Sequence, residues 1–342
     1  MDSQRRERLF KLLTVALSVG LVLLLGEGLV RLNYVFKNRK TPPPIEEYGP
    51  TGWRSRPNVD TTYRTKVYGE AHYTTDERGF RSFGDLEAEG RRILAIGDSF
   101  TQGKQISDGL PYYDILGAAL PNVEVFAYGV GGSGTLQQLM ALEAYFDELE
   151  PDLVLWQFSF NDLTNNDYLL ESTSLENNYH MRRPYMEAGE VVFRHPDGAM
   201  AFWTTRFYLA RRFKILLDGV IKRSRGTIEQ ELHLEHPDLL RTLETTRSLF
   251  RRGVELVDPV PVVAFQGSPL DRFGYEEAAF EAVCQVEGLH CVLDLTAALR
   301  ETRDSGVRID GGTADGHWNV AGHALAARHI ESFLASNQLL PE

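Results

Sequence analysis

A chain of 342 residues, 43% hydrophobic and 11% aromatic, has ample material for a large buried core, which excludes an intrinsically disordered protein. Its formal net charge of −12 argues against clustered Lys and Arg reading a phosphate backbone, so nucleic acid is not an expected partner. The two cysteines, Cys284 and Cys291, fit no zinc spacing and read equally as one disulfide or as two buried thiols.

Residues 1–40 read as a targeting element. Arg5, Arg6, Arg8 and Lys11 precede an unbroken apolar run, and Leu9 to Val30 can span a bilayer of ~30 Å if Glu27 lies near the far interface. No small-x-small cleavage site follows, so an uncleaved membrane anchor is expected ahead of a cleaved signal peptide or a soluble core helix. Arg31, Lys37, Arg39 and Lys40 make the far flank basic as well, so charge alone leaves the orientation open. The folded part is expected outside the cytoplasm. Residues 41–90 then form a linker and a small β preamble: Thr41-Pro-Pro-Pro-Ile is a stiff spacer, and the alternating Tyr, Thr and Val of residues 61–75 predict a hairpin ahead of a turn at Asp76–Gly79.

From residue 91 to 342, strand and helix patterns alternate without an internal repeat. Candidate strands are Ile93–Ile96, Val123–Tyr128, Leu153–Phe158, Val260–Phe265 and Val292–Leu295; candidate helices are Tyr112–Leu120, Thr135–Leu149, Leu239–Val254, Tyr275–Val286 and Val320–Leu334. Such alternation predicts an α/β fold: a three-layer α/β/α, doubly wound, five-stranded parallel sheet, in which a flavodoxin-like order would put the first strand between the second and third. An insertion at about 163–237 is far longer than an ordinary αβ connection. Within it, Phe202 to Arg225 mixes aromatic and basic residues at helical spacing. The plainer expectation is a helix that packs its apolar face on the domain; the alternative is a helix lying on an anionic membrane surface.

The chemistry is read from the ends of the strands. Ile93-Leu-Ala-Ile-Gly-Asp-Ser99 is a buried-strand pattern that stops at a turn and presents a serine where open α/β sheets build their sites. Two other motifs in this region fail. Gly97 to Lys104 has one residue too many for a phosphate-binding loop, with Gln105 where Ser or Thr should follow, and Gly129–Gly134 lacks the acidic residue ~20 positions on that a dinucleotide site needs. A nucleophilic serine needs a base, a group to orient that base, and oxyanion donors. His317 in Asp315-Gly-His317-Trp-Asn319 supplies the base and Asp315 its orienter; the Ser99 amide, a glycine of the 129–134 cluster and the Asn161 side chain supply the donors. Each residue alone has a structural reading as a cap, a turn or a loop carboxylate. Their joint arrival at the same edge of the sheet favours catalysis.

These residues resemble the SGNH (GDSL-type) hydrolase family, in a membrane-anchored bacterial form. Gly97-Asp98-Ser99-Phe100-Thr101 resembles the first block, Gly129-Val-Gly-Gly132 the second, Phe160-Asn161-Asp162 the third and Asp315-Gly-His317 the fifth, within a resemblance that runs from Arg92 to Leu334. It departs from the pattern at Ala127 (usually Asn), at Phe160 (usually Gly) and in an Asp-to-His spacing one residue shorter than the common one. The resemblance implies a serine esterase with Ser99, Asp315 and His317 as catalytic residues and Ser99, Gly132 and Asn161 around the oxyanion. It implies no metal and no cofactor, and a substrate that is a small ester or an acylated carbohydrate of the cell envelope. An O-acyltransferase with the same site and a non-catalytic envelope-binding protein are the alternatives.

Overall fold

The computed structural model describes residues 3–267, 272–312 and 315–340. It divides into two compact units, one formed by residues 1–42 and 197–226, the other by residues 43–196 and 227–342.

The first unit begins with α1 (Ser3–Lys40). Among the described residues this is the one helix long and apolar enough to cross a membrane. It carries exposed leucines and valines along its length.

The larger unit opens with two antiparallel hairpins. β1 (Ile45–Tyr48) pairs with β2 (Gly52–Ser55), and β3 (Asp60–Thr65) with β4 (Gly69–Thr74), which is the predicted preamble hairpin. A short strand β5 (Ser82–Phe83) follows, then β6 (Arg91–Gly97), α2 (Ser99–Gln102), α3 (Tyr112–Ala119), β7 (Val123–Gly129), α4 (Thr135–Leu149) and β8 (Leu153–Phe158). The insertion supplies α5 (Phe160–Asn165), α6 (Tyr168–Thr173) and the hairpin β9 (Arg183–Glu187) with β10 (Glu190–Arg194). It continues into the first unit as α7 (Ala201–Arg206) and α8 (Tyr208–Arg225). The chain returns with α9 (Pro237–Val257), β11 (Val262–Gln266), α10 (Glu276–Val283), β12 (Leu289–Cys291), α11 (Asp294–Asp304) and α12 (Val320–Ser336).

The main sheet has the order β12-β11-β8-β6-β7-β5. Four of its five parallel strands fall where the sequence pattern places them, with β6 between β7 and β8; β5 adds a two-residue antiparallel edge. All six residues of β8 are buried, as a central strand covered on both faces requires. Two apolar clusters fill the faces. One gathers around Trp156, Phe158 and Phe250 beneath α4 and α9, the other around Tyr112, Phe265 and Trp318 beneath α3 and α12.

One expectation needs correction. The last strand lies at Leu289–Cys291, not Val292–Leu295, because Asp294 opens the unforeseen helix α11, which buries Leu295 and Leu299. The helix foreseen in the basic insertion is α8, which lies in the first unit with α1 and α7 and has no buried residue. Cys284 and Cys291 are joined in a disulfide that ties the end of α10 to β12.

Candidate active site

Strand register brings the loops together. Gly97 at the end of β6 pairs with Gly129 at the end of β7, and Ile96 pairs with Trp156 on β8. Ser99, the 129–134 loop and Asn161 therefore leave the same edge of the sheet from three adjacent strands.

Ser99 is the first residue of α2, where an amide has no acceptor within the helix. The preceding Asp98 caps the helix, its Oδ1 accepting the Phe100 N–H at 3.0 Å. Beneath the turn lies a buried polar chain. Gln157 Oε1 accepts the Asp98 N–H at 3.0 Å and the Thr101 hydroxyl at 3.2 Å, and Gln157 Nε2 donates to Ser159 Oγ at 2.7 Å. Asp162 Oδ2 accepts the Ser159 N–H at 3.1 Å, closing the start of α5. Burial pushes the carboxyls of both Asp98 and Asp162 above their ordinary range. Gly97 and Gly129 admit no side chain here: a Cβ on the first would collide with Thr101 and Gln157, and one on the second with the backbone of Gln102.

His317 approaches from a loop between α11 and α12. Its Nε2 lies 2.7 Å from Ser99 Oγ and its Nδ1 2.5 Å from Asp315 Oδ1. Asp315 Oδ1 also accepts the His317 N–H at 3.1 Å, so the two-residue spacing closes a local turn that aims the imidazole. Burial by itself would raise the Asp315 pKa, but hydrogen bonds from His317 and its charge outweigh that and hold the carboxyl below its ordinary range. The ring of Phe100 lies against His317, centroids 4.9 Å apart, and Trp318 beside it is fully buried. Asn319 caps α12 by accepting the N–H groups of Ala321 and Gly322. The other histidine of this segment, His323, is buried; it accepts the Tyr112 N–H on Nδ1 at 3.2 Å and stacks on the Tyr112 ring. Burial drives its pKa down to about 3, so it is a neutral core residue.

The expected oxyanion residues line the same edge. A Cβ built on Gly131 would stand 3.9 Å from the Ser99 Cβ, while Gly132 has φ +76° and lies under the Tyr179 ring. Asn161 is buried on α5 and donates from Nδ2 to Asn165 Oδ1 at 3.2 Å, which uses one of that amide's two hydrogens.

Three residues that sequence reasoning missed hold these loops. Tyr68, at the tip of the β3–β4 hairpin, donates its hydroxyl to the His317 carbonyl at 2.6 Å. Trp53 Nε1 on β2 donates to the Gly131 carbonyl at 3.1 Å. Arg183, fully buried on β9, donates from Nη2 to the Gly132 carbonyl at 3.0 Å and lies with Nε 2.9 Å from the equally buried Glu171. Burial pushes the Glu171 carboxyl up to about 7 against the pull of Arg183 and Tyr185. The sequence carries no motif for such contacts; a Trp, a Tyr and an Arg in turns and strands have many plainer uses.

Residues 93–330 match the family model described as GDSL-like Lipase/Acylhydrolase. No curated protein matches the chain. Solved structures similar to it include a lipolytic protein of the G-D-S-L family from Veillonella parvula, at 15% identity over 71% of this chain and 97% of that one, with TM-score 0.38. A lipase/acylhydrolase from Enterococcus faecalis shares 14% identity over 72% and 96% of the two chains, with TM-score 0.41. A variant of an acetyl xylan esterase from Geobacillus stearothermophilus shares 15% identity over 73% and 97%, with TM-score 0.39. Likeness this distant has no bearing on substrate.

Proposed function

This chain belongs to the GDSL-like lipase/acylhydrolase family and is a hydrolase acting on ester bonds, and we propose that Ser99 is its nucleophile, with His317 as base and Asp315 as the residue that orients it. The observation that carries this reading is the continuous line from Ser99 Oγ through His317 Nε2 and Nδ1 to Asp315 Oδ1. His317 takes the serine proton as Oγ attacks the ester carbonyl. The amides of Ser99 and Gly132 and the side chain of Asn161 hold the developing oxyanion, each donor being worth ~2.7–4 kcal/mol of barrier in sites of this type. His317 then gives the proton to the leaving alcohol. Water, deprotonated by the same imidazole, releases the acyl group and regenerates Ser99.

The acceptor is read as water because the matching family model is that of a lipase/acylhydrolase. The substrate is read as a small ester or an acylated carbohydrate outside the cytoplasm. Residues 1–40 serve as anchor, 41–90 as linker and preamble, and 91–342 as the catalytic domain interrupted at 163–237. The apolar α1 supports the anchor, and the Cys284–Cys291 disulfide supports an oxidising compartment. Ser99→Ala, with the thermal transition unchanged, is expected to abolish hydrolysis of a short-chain ester and labelling by a serine-directed fluorophosphonate. Parent-level turnover in that variant would overturn the assignment.

A further inference from the structure

The unit formed by α1 with α7 and α8 is built from segments ~170 positions apart in the chain. The helix α8 has no cap of its own at Phe207. Its first two amides, those of Tyr208 and Leu209, donate instead to the Glu27 carboxylate of α1 at 3.1 and 2.9 Å. Arg31, one turn further along α1, donates from Nε to the same carboxylate at 2.6 Å and from Nη2 to the Arg206 carbonyl at 2.6 Å. The Tyr34 and Tyr208 rings meet at 4.8 Å, and a Cβ on Gly26 would touch Leu209. The one acidic residue of the apolar run is thus committed to starting a second helix.

Depth follows from helix geometry. At 1.5 Å per residue, Glu27 stands ~27 Å along the axis from Leu9, which is the far edge of a ~30 Å hydrocarbon layer that begins there. The start of α8 is therefore at interfacial depth, flanked by Trp203, Tyr208 and Tyr34, the residue types that settle at that level. Beyond its first turn, α8 exposes Phe213, Leu216, Leu217 and Val220, which share one face at i, i+3, i+4 and i+7. Arg212 and Arg223 border that face, and residues 201–225 hold seven cations against one anion in a chain whose net charge is −12.

We infer that α7 and α8 form an interfacial helix that binds the anionic phospholipid leaflet at which α1 emerges, with Glu27 setting its depth. Two features identify lipid as the occupant: the exposed face adjoins the anchor helix at the membrane edge, and its cationic border matches acidic headgroups. The inference rests on α1 being the anchor. It gives the enzyme a second, charge-dependent attachment to the same membrane.

The test uses the full chain in vesicles, with a fluorophore on one introduced cysteine at a time: Leu17→Cys on α1, Leu216→Cys on the apolar face of α8, and Lys214→Cys on its opposite face. Ester hydrolysis at the parent level shows that the catalytic unit of each labelled variant is folded, and a parent-like helical circular-dichroism signal shows that α1 and α8 are intact. A nitroxide near the lipid headgroup is expected to quench the label at 216 severalfold more than the label at 214, and more in phosphatidylglycerol than in phosphatidylcholine. A nitroxide deep in the acyl chains should quench the label at 17. If the label at 17 is not quenched, the anchor reading fails and takes the inference with it. If 17 is quenched but 216 remains open to aqueous iodide, the anchor stands and the interfacial helix is overturned. Protection of 216 from both quenchers would mean that protein covers the face, which also overturns it. Glu27→Gln, which weakens the cap, should lower quenching at 216 and leave it unchanged at 17; no change at 216 would remove Glu27 from the account.

Discussion

The Trp53 indole donates to the Gly131 carbonyl at 3.1 Å, and in doing so it aims the Gly132 amide, because both groups belong to one planar trans peptide. A carbonyl held on one side of that plane turns its N–H to the other. The next carbonyl, that of Gly132, is held by Arg183 at 3.0 Å. One support comes from the preamble and one from the insertion, so both segments hold the loop that carries the proposed oxyanion glycine.

Trp53→Phe keeps most of the buried ring and removes the donor. Freed from it, the peptide can rotate, and misplacing a catalytic group by ~1 Å can cost ~10²-fold in rate. The expected outcome is a fall in kcat of roughly ten- to a hundredfold with KM nearly unchanged. Arg183→Lys should act in the same direction. Steady-state kinetics on a chromogenic short-chain ester separates the two parameters.

Tyr68→Phe removes the strut beneath His317 without altering shape. A hydrogen bond of this kind contributes ~0.5–1.5 kcal/mol, so a loss of kcat of about two- to tenfold is expected, with the melting temperature little changed. The same kinetic assay, read beside a thermal melt, checks it.

Asp315→Asn tests how much the orienting carboxylate contributes. Replacing a buried triad aspartate by asparagine costs ~10⁴-fold; Asp315 retains 39% of its side-chain exposure, so water can partly replace it and a smaller loss is expected. The carboxyl is held below its ordinary range, so it stays ionised to lower pH than a free aspartate, and protonation of Asp315 is not expected to set the acid limb of the rate profile.

His323 makes a separate pH prediction for stability. Its folded pKa is about 3 and its ordinary value is 6.5, so the unfolded chain binds the proton more readily. Stability from keeping it neutral is fully present above 6.5 and is lost progressively as pH falls toward 3. His323→Gln retains an acceptor for the Tyr112 N–H and does not titrate. Urea melts at several pH values should show the variant losing less stability than the parent across that window.

The parts of the site that were legible in sequence are those where the backbone itself dictates residue type. Gly97 and Gly129 sit where any side chain would strike a neighbouring segment, and the Gly-Asp-Ser turn starts a helix at a strand end, with Asp98 as its cap. Such positions leave local signatures. The misplaced fifth strand shows the limit: Val292-Leu-Asp-Leu has apolar residues suited to either state, and pairing with β11 ends one residue earlier at Cys291. Trp53, Tyr68 and Arg183 act across separations of 78, 249 and 51 residues, where no periodicity can register them. The union of Glu27 with α8, 181 residues away, was hidden for the same reason.

Ser99 and His317 are 218 residues apart along the chain. During synthesis the serine, the glycine loop and Asn161 all leave the ribosome long before the base does. A nascent or prematurely ended chain that stops short of residue 317 therefore carries the proposed nucleophile without the residue proposed to activate it. On the proposed roles, a chain shorter than 317 residues is expected to be inert, and hydrolytic competence is expected to arrive with the loop between α11 and α12.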